Sequence, residues 1–148
     1  MKTVLISACL LGVDCRYDGK SNRLSDELLD GLKSKFILIP VCAEVYGGLT
    51  TPRIPSERVG AAVLSREGAD VTEQFRRGAE AVLYIARTLG AELAILKENS
   101  PSCGSGTVYD GSFTGKLTEG YGVTAELLIK NGIPVIGESG ISELLKSI

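Results

Sequence analysis

Residues 3–9 read TVLISAC, and this apolar run of strand length is the first of four that decide the fold. The others are FILIPVC at residues 36–42, ELAILK at 92–97 and PVIG at 134–137. None of them shows the sustained apolar–polar alternation of a strand with one solvent-exposed face. Strands that are apolar throughout are buried on both faces, so the sequence predicts a parallel sheet with helices on either side.

Helical patterns lie between these strands. The longest covers residues 71–89, where apolar side chains recur at helical spacing, and Gly90 is expected to end it. Asp70 and Glu73 have the spacing of a capping box at its start. Shorter helices are expected at residues 26–33, 121–130 and 141–148. This alternation predicts an α/β fold, a single-domain Rossmann-like three-layer sandwich over residues 1–148 with a mainly parallel sheet of four to five strands.

Two long segments, residues 44–68 and 98–122, show no regular period and are rich in glycine, proline and polar residues. We interpret both as ordered loops, the first with a short hairpin at residues 61–66. Connections of this length inside a compact domain are usually functional or disordered, and the apolar content of the first favours function.

The composition is that of an ordinary globular protein, with 44% hydrophobic and 23% charged residues among 148. The formal net charge is −2 and there is no long basic run, which argues against a nucleic acid polymer as partner. The longest apolar stretch is too short to cross a bilayer, so no membrane partner is expected. The first residues enter a strand without a signal-peptide layout, and a cytoplasmic location is therefore expected. The sequence carries no signal for an oligomeric state.

The chain contains no histidine, which excludes a Ser-His-Asp triad, a Cys-His pair and any imidazole metal ligand. Proton transfer must then depend on Asp, Glu, Lys, Tyr, a thiol or bound water. Four cysteines are present. In a reducing cytosol, metal binding, catalysis or plain burial is a more common role for them than disulfide formation.

Three of the cysteines are expected to meet. Cys9 and Cys42 end the first two strands, and Cys103 follows the third by six residues. The carboxyl ends of parallel strands meet at one edge of a sheet, where α/β proteins bind their ligands. The sequence therefore predicts one site at which these thiols bind a metal centre or react with a substrate. For each cysteine taken alone, the alternative is that it is simply buried as a small hydrophobic residue. This explanation is weakest for the three together.

The number of thiols narrows the type of metal site. A structural zinc site takes four ligands, usually in C-x-x-C pairs, and the chain has no such pair. Iron–sulfur clusters are normally held by four thiolates, so a cluster held by three keeps one iron open to act as a Lewis acid. Cys15, in a polar segment beside Asp14 and Arg16, can be a fourth ligand, a neighbour of the ligands or a bystander.

Other polar residues are expected at the same edge. Glu44 can transfer protons or form a loop salt bridge, and Ser100 can hydrogen-bond a substrate or cap a local turn. Ser7 and Ser102 can hydrogen-bond a sulfur. Arg16 and Arg53 would suit an anionic or carbonyl-rich ligand, although many such arginines only fix loops.

Five motifs, in order along the chain, resemble the DUF523 family, which includes the thiouracil desulfidases. They are SACLLG at residues 7–12, RYDG at 16–19, VCAE at 41–44, GL with PR at 48–53, and SPSCG at 100–104. The resemblance spans essentially the whole chain. One departure is Ala43, where the family often has proline.

The resemblance implies an α/β fold and a [4Fe-4S] cluster held by Cys9, Cys42 and Cys103. It also implies that Glu44 is the catalytic acid/base and Ser100 the assisting hydroxyl. In the desulfidases the open iron takes the sulfur of a thiolated uracil, and water replaces the sulfur without net redox change. The implied substrate is a small thiolated nucleobase or a similar thioamide.

Two other functions are compatible with the same cysteines. One is a non-enzymatic iron–sulfur or zinc-binding sensor or carrier, which would use four thiolates including Cys15. The other is a cluster-free thiol enzyme with a cysteine nucleophile. The absence of histidine counts against the second, although a nearby arginine can also lower the pKa of a thiol.

Overall fold

The computed structural model describes residues 1–147 of the chain. In order, its elements are β1 (Lys2–Ser7), a 3₁₀ helix (Ala8–Leu11), α1 (Asp26–Lys35), β2 (Phe36–Val41), α2 (Ala43–Tyr46), β3 (Ser56–Val59), β4 (Ala62–Ser65), α3 (Thr72–Leu89), β5 (Leu93–Leu96), β6 (Ser105–Tyr109), β7 (Leu117–Tyr121), α4 (Val123–Lys130), β8 (Val135–Gly137), a second 3₁₀ helix (Glu138–Gly140) and α5 (Ile141–Lys146).

The four apolar runs form one parallel sheet in the order β2-β1-β5-β8. β1 pairs with β2 from Lys2 opposite Phe36 to Ser7 opposite Val41, so both strands finish at the same level. β5 lies on the other side of β1 and pairs in turn with β8. Pro40, which lacks a backbone donor, lies in an edge strand where such a residue is tolerated. The expected α/β fold with a parallel sheet is confirmed.

Side chains of the central strands alternate between two separate cores. Leu5, Ala94 and Leu96 pack among residues of α3 and α4, including Val82, Ala86 and Leu128. Val4, Ile6 and Ile95 pack on the opposite face with residues of α1 and α5, including Leu29, Leu32 and Ile141. Both faces of the sheet are therefore covered by helices, which makes the three layers and explains why these strands are apolar throughout.

The first two strands end earlier than expected. The chain leaves β1 at Ser7 and turns into a 3₁₀ helix, so Cys9 lies inside that helix and not in the strand. Gly12 closes this turn at a φ of 105° and donates its N–H to the carbonyl oxygen of Cys9 at 3.2 Å. β2 likewise ends at Val41, and Cys42 precedes α2. Both cysteines thus lie on turns that project from the sheet edge.

The expected capping box of the longest helix is wrong. α3 begins at Thr72, and the Asp70 carboxylate accepts the N–H of Thr72 at 2.9 Å. Glu73 forms an ion pair with Arg76 on the helix surface. The other end follows the prediction, because Gly90 stops α3 in a left-handed conformation with a φ of 70°.

Both long loops contain antiparallel hairpins. The segment at residues 44–68 holds most of α2 and the hairpin of β3 and β4, which begins earlier than the expected residues 61–66. The interpretation of residues 98–122 as a loop was wrong, since β6 and β7 pair across its length. The last helix ends at Lys146, and Ile148, where it was expected to end, lies outside the described residues.

α2 lies directly on the backbone of α3. A Cβ on Gly78 would lie 1.9 Å from the carbonyl oxygen of Ala43, and a Cβ on Gly47 would lie 1.9 Å from that of Gln74. Only glycine permits this approach. The contact fixes the short helix that follows Cys42. No helix of residues 1–147 is both long and apolar enough to span a membrane.

Candidate functional site

A cavity of about 470 Å³ opens at the carboxyl edge of the sheet. Its wall is formed by the turns after β1, β2 and β5 and by residues of both hairpins. Small-molecule sites in proteins commonly enclose roughly 300–1,000 Å³ and lie at this edge of an α/β sheet. The topology therefore places a ligand-sized space where the sequence predicts the site.

Cys9, Cys42 and Cys103 all line this cavity, although 33 and 61 residues separate them in sequence. Each is half-buried, and none forms a disulfide. They reach the cavity from the 3₁₀ helix after β1, the residue before α2 and the turn after β5. The structure thus brings together the three thiols that strand order predicts will meet.

The Cys103 and Cys9 thiols lie in poorly solvated places. Burial raises the pKa of Cys103 to about 12 and also raises the pKa of Cys9. The Ser7 hydroxyl donates to the Cys103 sulfur at 3.8 Å and accepts the N–H of Lys97 at 2.9 Å. Ser102 does not contact a sulfur as expected, because its hydroxyl pairs with that of Thr124 at 2.8 Å.

Cys15 is a neighbour of Cys42. Cys15 is 8% exposed and lines the same cavity. The contact between the two thiols raises the pKa of Cys15 and lowers that of Cys42. Of the three roles left open for Cys15, the structure removes that of a bystander.

Glu44 and Arg53 form an ion pair inside the cavity wall. Arg53 Nε lies 3.5 Å from Glu44 Oε1, and the arginine side chain is only 7% exposed. This contact is too loose to hydrogen-bond Nε, which is buried without a hydrogen-bond partner among the described residues. Burial raises the pKa of Glu44, and the positive charge of Arg53 acts in the opposite direction.

Three further contacts hold Arg53 in place. Its Nη2 donates to the carbonyl oxygen of Cys15 at 2.9 Å, and its Nη1 donates to Thr50 O and to Thr51 Oγ1. The guanidinium thus links the segments that carry Cys15 and Glu44. Arg16, by contrast, pairs with Asp18 and donates to Asn22, which fixes its own loop.

Ser100 caps the turn that leads to Cys103. Its Oγ accepts the N–H of Ser102 at 3.1 Å and that of Cys103 at 3.2 Å. With both acceptor positions used, the hydroxyl proton is left to donate. Ser100 lines the cavity, so both roles considered for it from the sequence are compatible with this geometry.

Several lining residues were not identified from the sequence, among them Glu57, Tyr109 and Phe113 of the two hairpins. One signal was available. Asp110-Gly111 is a turn dipeptide, and it follows the β-branched and aromatic run at residues 107–109. The role of Glu57 could not be predicted, because its side-chain hydrogen bonds are with residues more than 50 positions away in sequence.

The donor set fits an iron–sulfur cluster. Thiolates are the usual ligands of such clusters, and this cavity offers thiols from separate wall segments. Within residues 1–147, no three Cys, Asp or Glu side chains are grouped closely enough to hold a single metal ion. A cluster does not require that closeness, because each of its irons binds a different cysteine.

Comparisons with known proteins agree with one another. The family described as 2-thiouracil desulfurase matches residues 4–140. The chain is 40% identical to an uncharacterized protein, YbbK, of Bacillus subtilis (strain 168), over 96% of this chain and 99% of that protein.

A solved structure is similar over almost the whole chain. It is that of the [4Fe-4S]-dependent thiouracil desulfidase TudS, also named DUF523Vcz. The similarity covers 99% of this chain and 97% of the other, with a TM-score of 0.94 and 44% sequence identity.

Proposed function

Because the chain belongs to the 2-thiouracil desulfurase family, we propose that this enzyme removes sulfur from thiolated nucleobases such as 2-thiouracil. The proposed cofactor is a [4Fe-4S] cluster bound by Cys9, Cys42 and Cys103. The observation that carries the proposal is the convergence of these three thiols on one cavity with Glu44 and Ser100. The [4Fe-4S] dependence of TudS supports the same cofactor.

The net reaction is a hydrolysis. A C=S group and water give a C=O group and hydrogen sulfide, so one carbon–sulfur bond is replaced by a carbon–oxygen bond without change of redox state. When bound, the cluster supplies an iron with an open position, a Lewis acid for the substrate sulfur. Protons must leave the attacking water and reach the departing sulfur, and the protein has to carry them.

Glu44 is the residue suited to move these protons. It lies at the cavity wall, and burial raises the pKa of its carboxyl group, which makes the carboxylate a better proton acceptor than an exposed glutamate. Arg53, which lines the same cavity, keeps the carboxylate in place.

Ser100 is suited to orient the substrate ring. Its two acceptor positions are taken by backbone N–H groups, so it presents a donor to the cavity. A ring nitrogen or carbonyl oxygen next to the C=S group is the matching acceptor. Together, Ser100 and Glu44 hold and protonate the substrate while the thiols hold the metal.

The test is sulfide release by protein purified without oxygen and reconstituted with iron and sulfide. We expect stoichiometric sulfide and uracil from 2-thiouracil, and no release by a Cys103→Ser variant, which loses one ligand. Wild-type protein with a full cluster that releases no sulfide from any thiolated base would contradict the proposed activity.

The position of Cys15 supports a second candidate, a non-enzymatic sensor or carrier with four thiolate ligands. A Cys15→Ser variant separates the two functions. Under the desulfidase proposal it keeps four irons per chain and its catalytic activity. Loss of iron to the same extent as in Cys103→Ser would favour the carrier.

A further inference from the structure

The turn between β6 and β7 places an aromatic residue in the wall of the cavity. Phe113 lines the cavity and has a φ of 58°. This left-handed conformation is rare for a bulky side chain, and within residues 1–147 the only other non-glycine residue at positive φ is Asn99. Such a backbone persists only where its surroundings determine it, and residues with such a backbone cluster at active sites and ligand-binding positions.

The carboxylate of Glu57 fixes this left-handed backbone conformation of Phe113. Glu57 Oε1 accepts the N–H of Gly111 at 3.0 Å and that of Phe113 at 3.1 Å. Glu57 lies in β3, on the other hairpin, and is only 9% exposed. Hydrogen bonds to a charged acceptor are stronger than neutral ones, so this buried carboxylate fixes the turn from across the cavity wall.

The turn is also held by packing against β3 and by hydrogen bonds among its own residues. A Cβ on Gly111 would lie 2.9 Å from Val59 Cγ2, which shows how closely this backbone packs against the end of β3. Asp110 accepts the N–H of Ser112 at 2.9 Å and donates its own N–H to Lys116 O at 3.0 Å. Phe113 is therefore presented to the cavity in one fixed backbone geometry.

We propose that Phe113 determines specificity by stacking on the planar ring of the substrate, and that Glu57 is its positioning residue. The inference rests on the proposed function and narrows it. An aromatic face gains most contact energy from another extended flat π system, and a thiolated six-membered heterocycle presents a larger flat face than an acyclic thioamide does. The expected substrates are accordingly thiolated heterocycles and not acyclic thioamides.

The test compares Phe113→Ala with Phe113→Tyr, and uses Tyr84→Ala as control. Tyr84 is an aromatic residue of α3 that is 70% exposed and outside the cavity lining. Uracil, which has the ring but not the sulfur, reports ring recognition by ligand-observed NMR. We expect Phe113→Ala to weaken uracil binding and to raise KM for 2-thiouracil roughly tenfold, as for loss of one base–aromatic stack. Iron content and kcat should stay close to wild type.

Glu57 is tested through the same two parameters. Glu57→Ala should raise KM like Phe113→Ala, while Glu57→Gln, which keeps an acceptor oxygen, should recover most of the affinity. Because Glu57 acts through Phe113, the double variant Glu57→Ala/Phe113→Ala should be no worse than either single variant. A purely structural role would instead lower iron content and kcat together with thermal stability.

The outcomes separate this inference from the proposed function. Phe113→Ala protein with wild-type uracil affinity and wild-type KM overturns the inference. If wild-type protein releases no sulfide but Phe113→Ala still weakens uracil binding, the desulfidase proposal fails and the stacking contact stands. If the wild-type protein neither binds uracil nor releases sulfide, the inference falls with the function.

Discussion

Arg53 shows how the site is built at the scale of a single residue. Its guanidinium contacts the carbonyl oxygen of Cys15, two groups of the segment before it and the carboxylate of Glu44. The planar guanidinium fork holds its N–H donors in fixed directions toward these acceptors, whereas an ammonium group carries its donors on a flexible stem. The geometry of Glu44, the proposed proton carrier, therefore depends on Arg53.

Replacing Arg53 tests this dependence. Arg53→Gln leaves Glu44 buried without its cation, and we expect kcat for sulfide release to fall at least about tenfold, within the range of lost acid–base catalysis. Arg53→Lys keeps the charge but not the fork, and should give an intermediate rate. Iron content should be unchanged in both.

The matched control for this pair is Arg77→Gln, since Arg77 is an exposed arginine of α3. We expect wild-type kinetics for the control. An Arg53→Gln enzyme that turns over at the wild-type rate with a full cluster would show that Glu44 needs no positioning.

At the scale of elements, the contact between α2 and α3 positions the segment after Cys42. Gly78→Ala introduces a methyl group that would lie 1.9 Å from the Ala43 carbonyl oxygen. Alanine is the better helix former by about 1 kcal/mol, but the clash with backbone costs more. We expect a net loss of about 2 kcal/mol of unfolding free energy, measured by denaturant titration, together with lower activity.

Gly31→Ala is the control for this substitution. It is also in a helix, α1, but its new Cβ would meet only the flexible end of the Leu145 side chain at 2.8 Å. We expect it to be neutral or slightly stabilising. Equal destabilisation by both variants would show that the α2–α3 contact has no special role.

The first hairpin is tied to α4 by an ion pair with a predictable pH dependence. Arg58 donates to Glu126 Oε2 at 2.7 Å and to Tyr121 O at 2.5 Å. The hydrogen bond from Arg58 lowers the pKa of Glu126 below its ordinary 4.5. A lowered folded-state pKa stabilises the protein above the ordinary value, and that contribution is lost as the pH falls through the lowered one.

Glu126→Gln should therefore lower the unfolding free energy at pH 7 by about 0.5–1 kcal/mol, since the pair is partly exposed. The difference from wild type should shrink as the pH falls below 4.5. Denaturant titrations at several pH values measure this, with the exposed Glu143→Gln of α5 as control. A difference that stays constant down to the acid range would contradict the ion pair.

The same elements show what sequence alone could predict. The sheet was predictable because strands covered by helices on both faces, such as β1 and β5, must be apolar throughout. The second hairpin left only the Asp110-Gly111 turn dipeptide and the run before it as signals, because β7 reads LTEGY and most of it is exposed. The prediction of a capping box was wrong because the Asp70 carboxylate accepts the N–H of Thr72, two residues along the chain.

In the candidate site, too, some residues were predictable from the sequence and others were not. Strand order placed the three cysteines, because parallel strands end at one edge. Phe113 could not be placed, since its position depends on Glu57, which is 56 residues away. Local pattern does not encode contacts of that kind.

For the whole molecule, the proposed cluster links three distant segments and so should stabilise the fold. A ligand that binds only the native state raises the unfolding free energy. We expect removal of the cluster by an iron chelator to lower Tm by several degrees, measured anaerobically by differential scanning calorimetry. Cys103→Ser, with an incomplete ligand set, should show no such chelator effect. A chelator shift of equal size in both proteins would mean that the metal is held elsewhere.

The two hairpins differ from the sheet in a way that matters for protein engineering. Each is a short antiparallel ribbon outside the parallel sheet, and each contributes side chains to the cavity. The cysteines come from the turns after β1, β2 and β5 instead. A designer can therefore exchange the β6–β7 ribbon between homologues, or redesign its turn, to change the heterocycle that the proposed site accepts, while the turns that carry the cysteines stay intact.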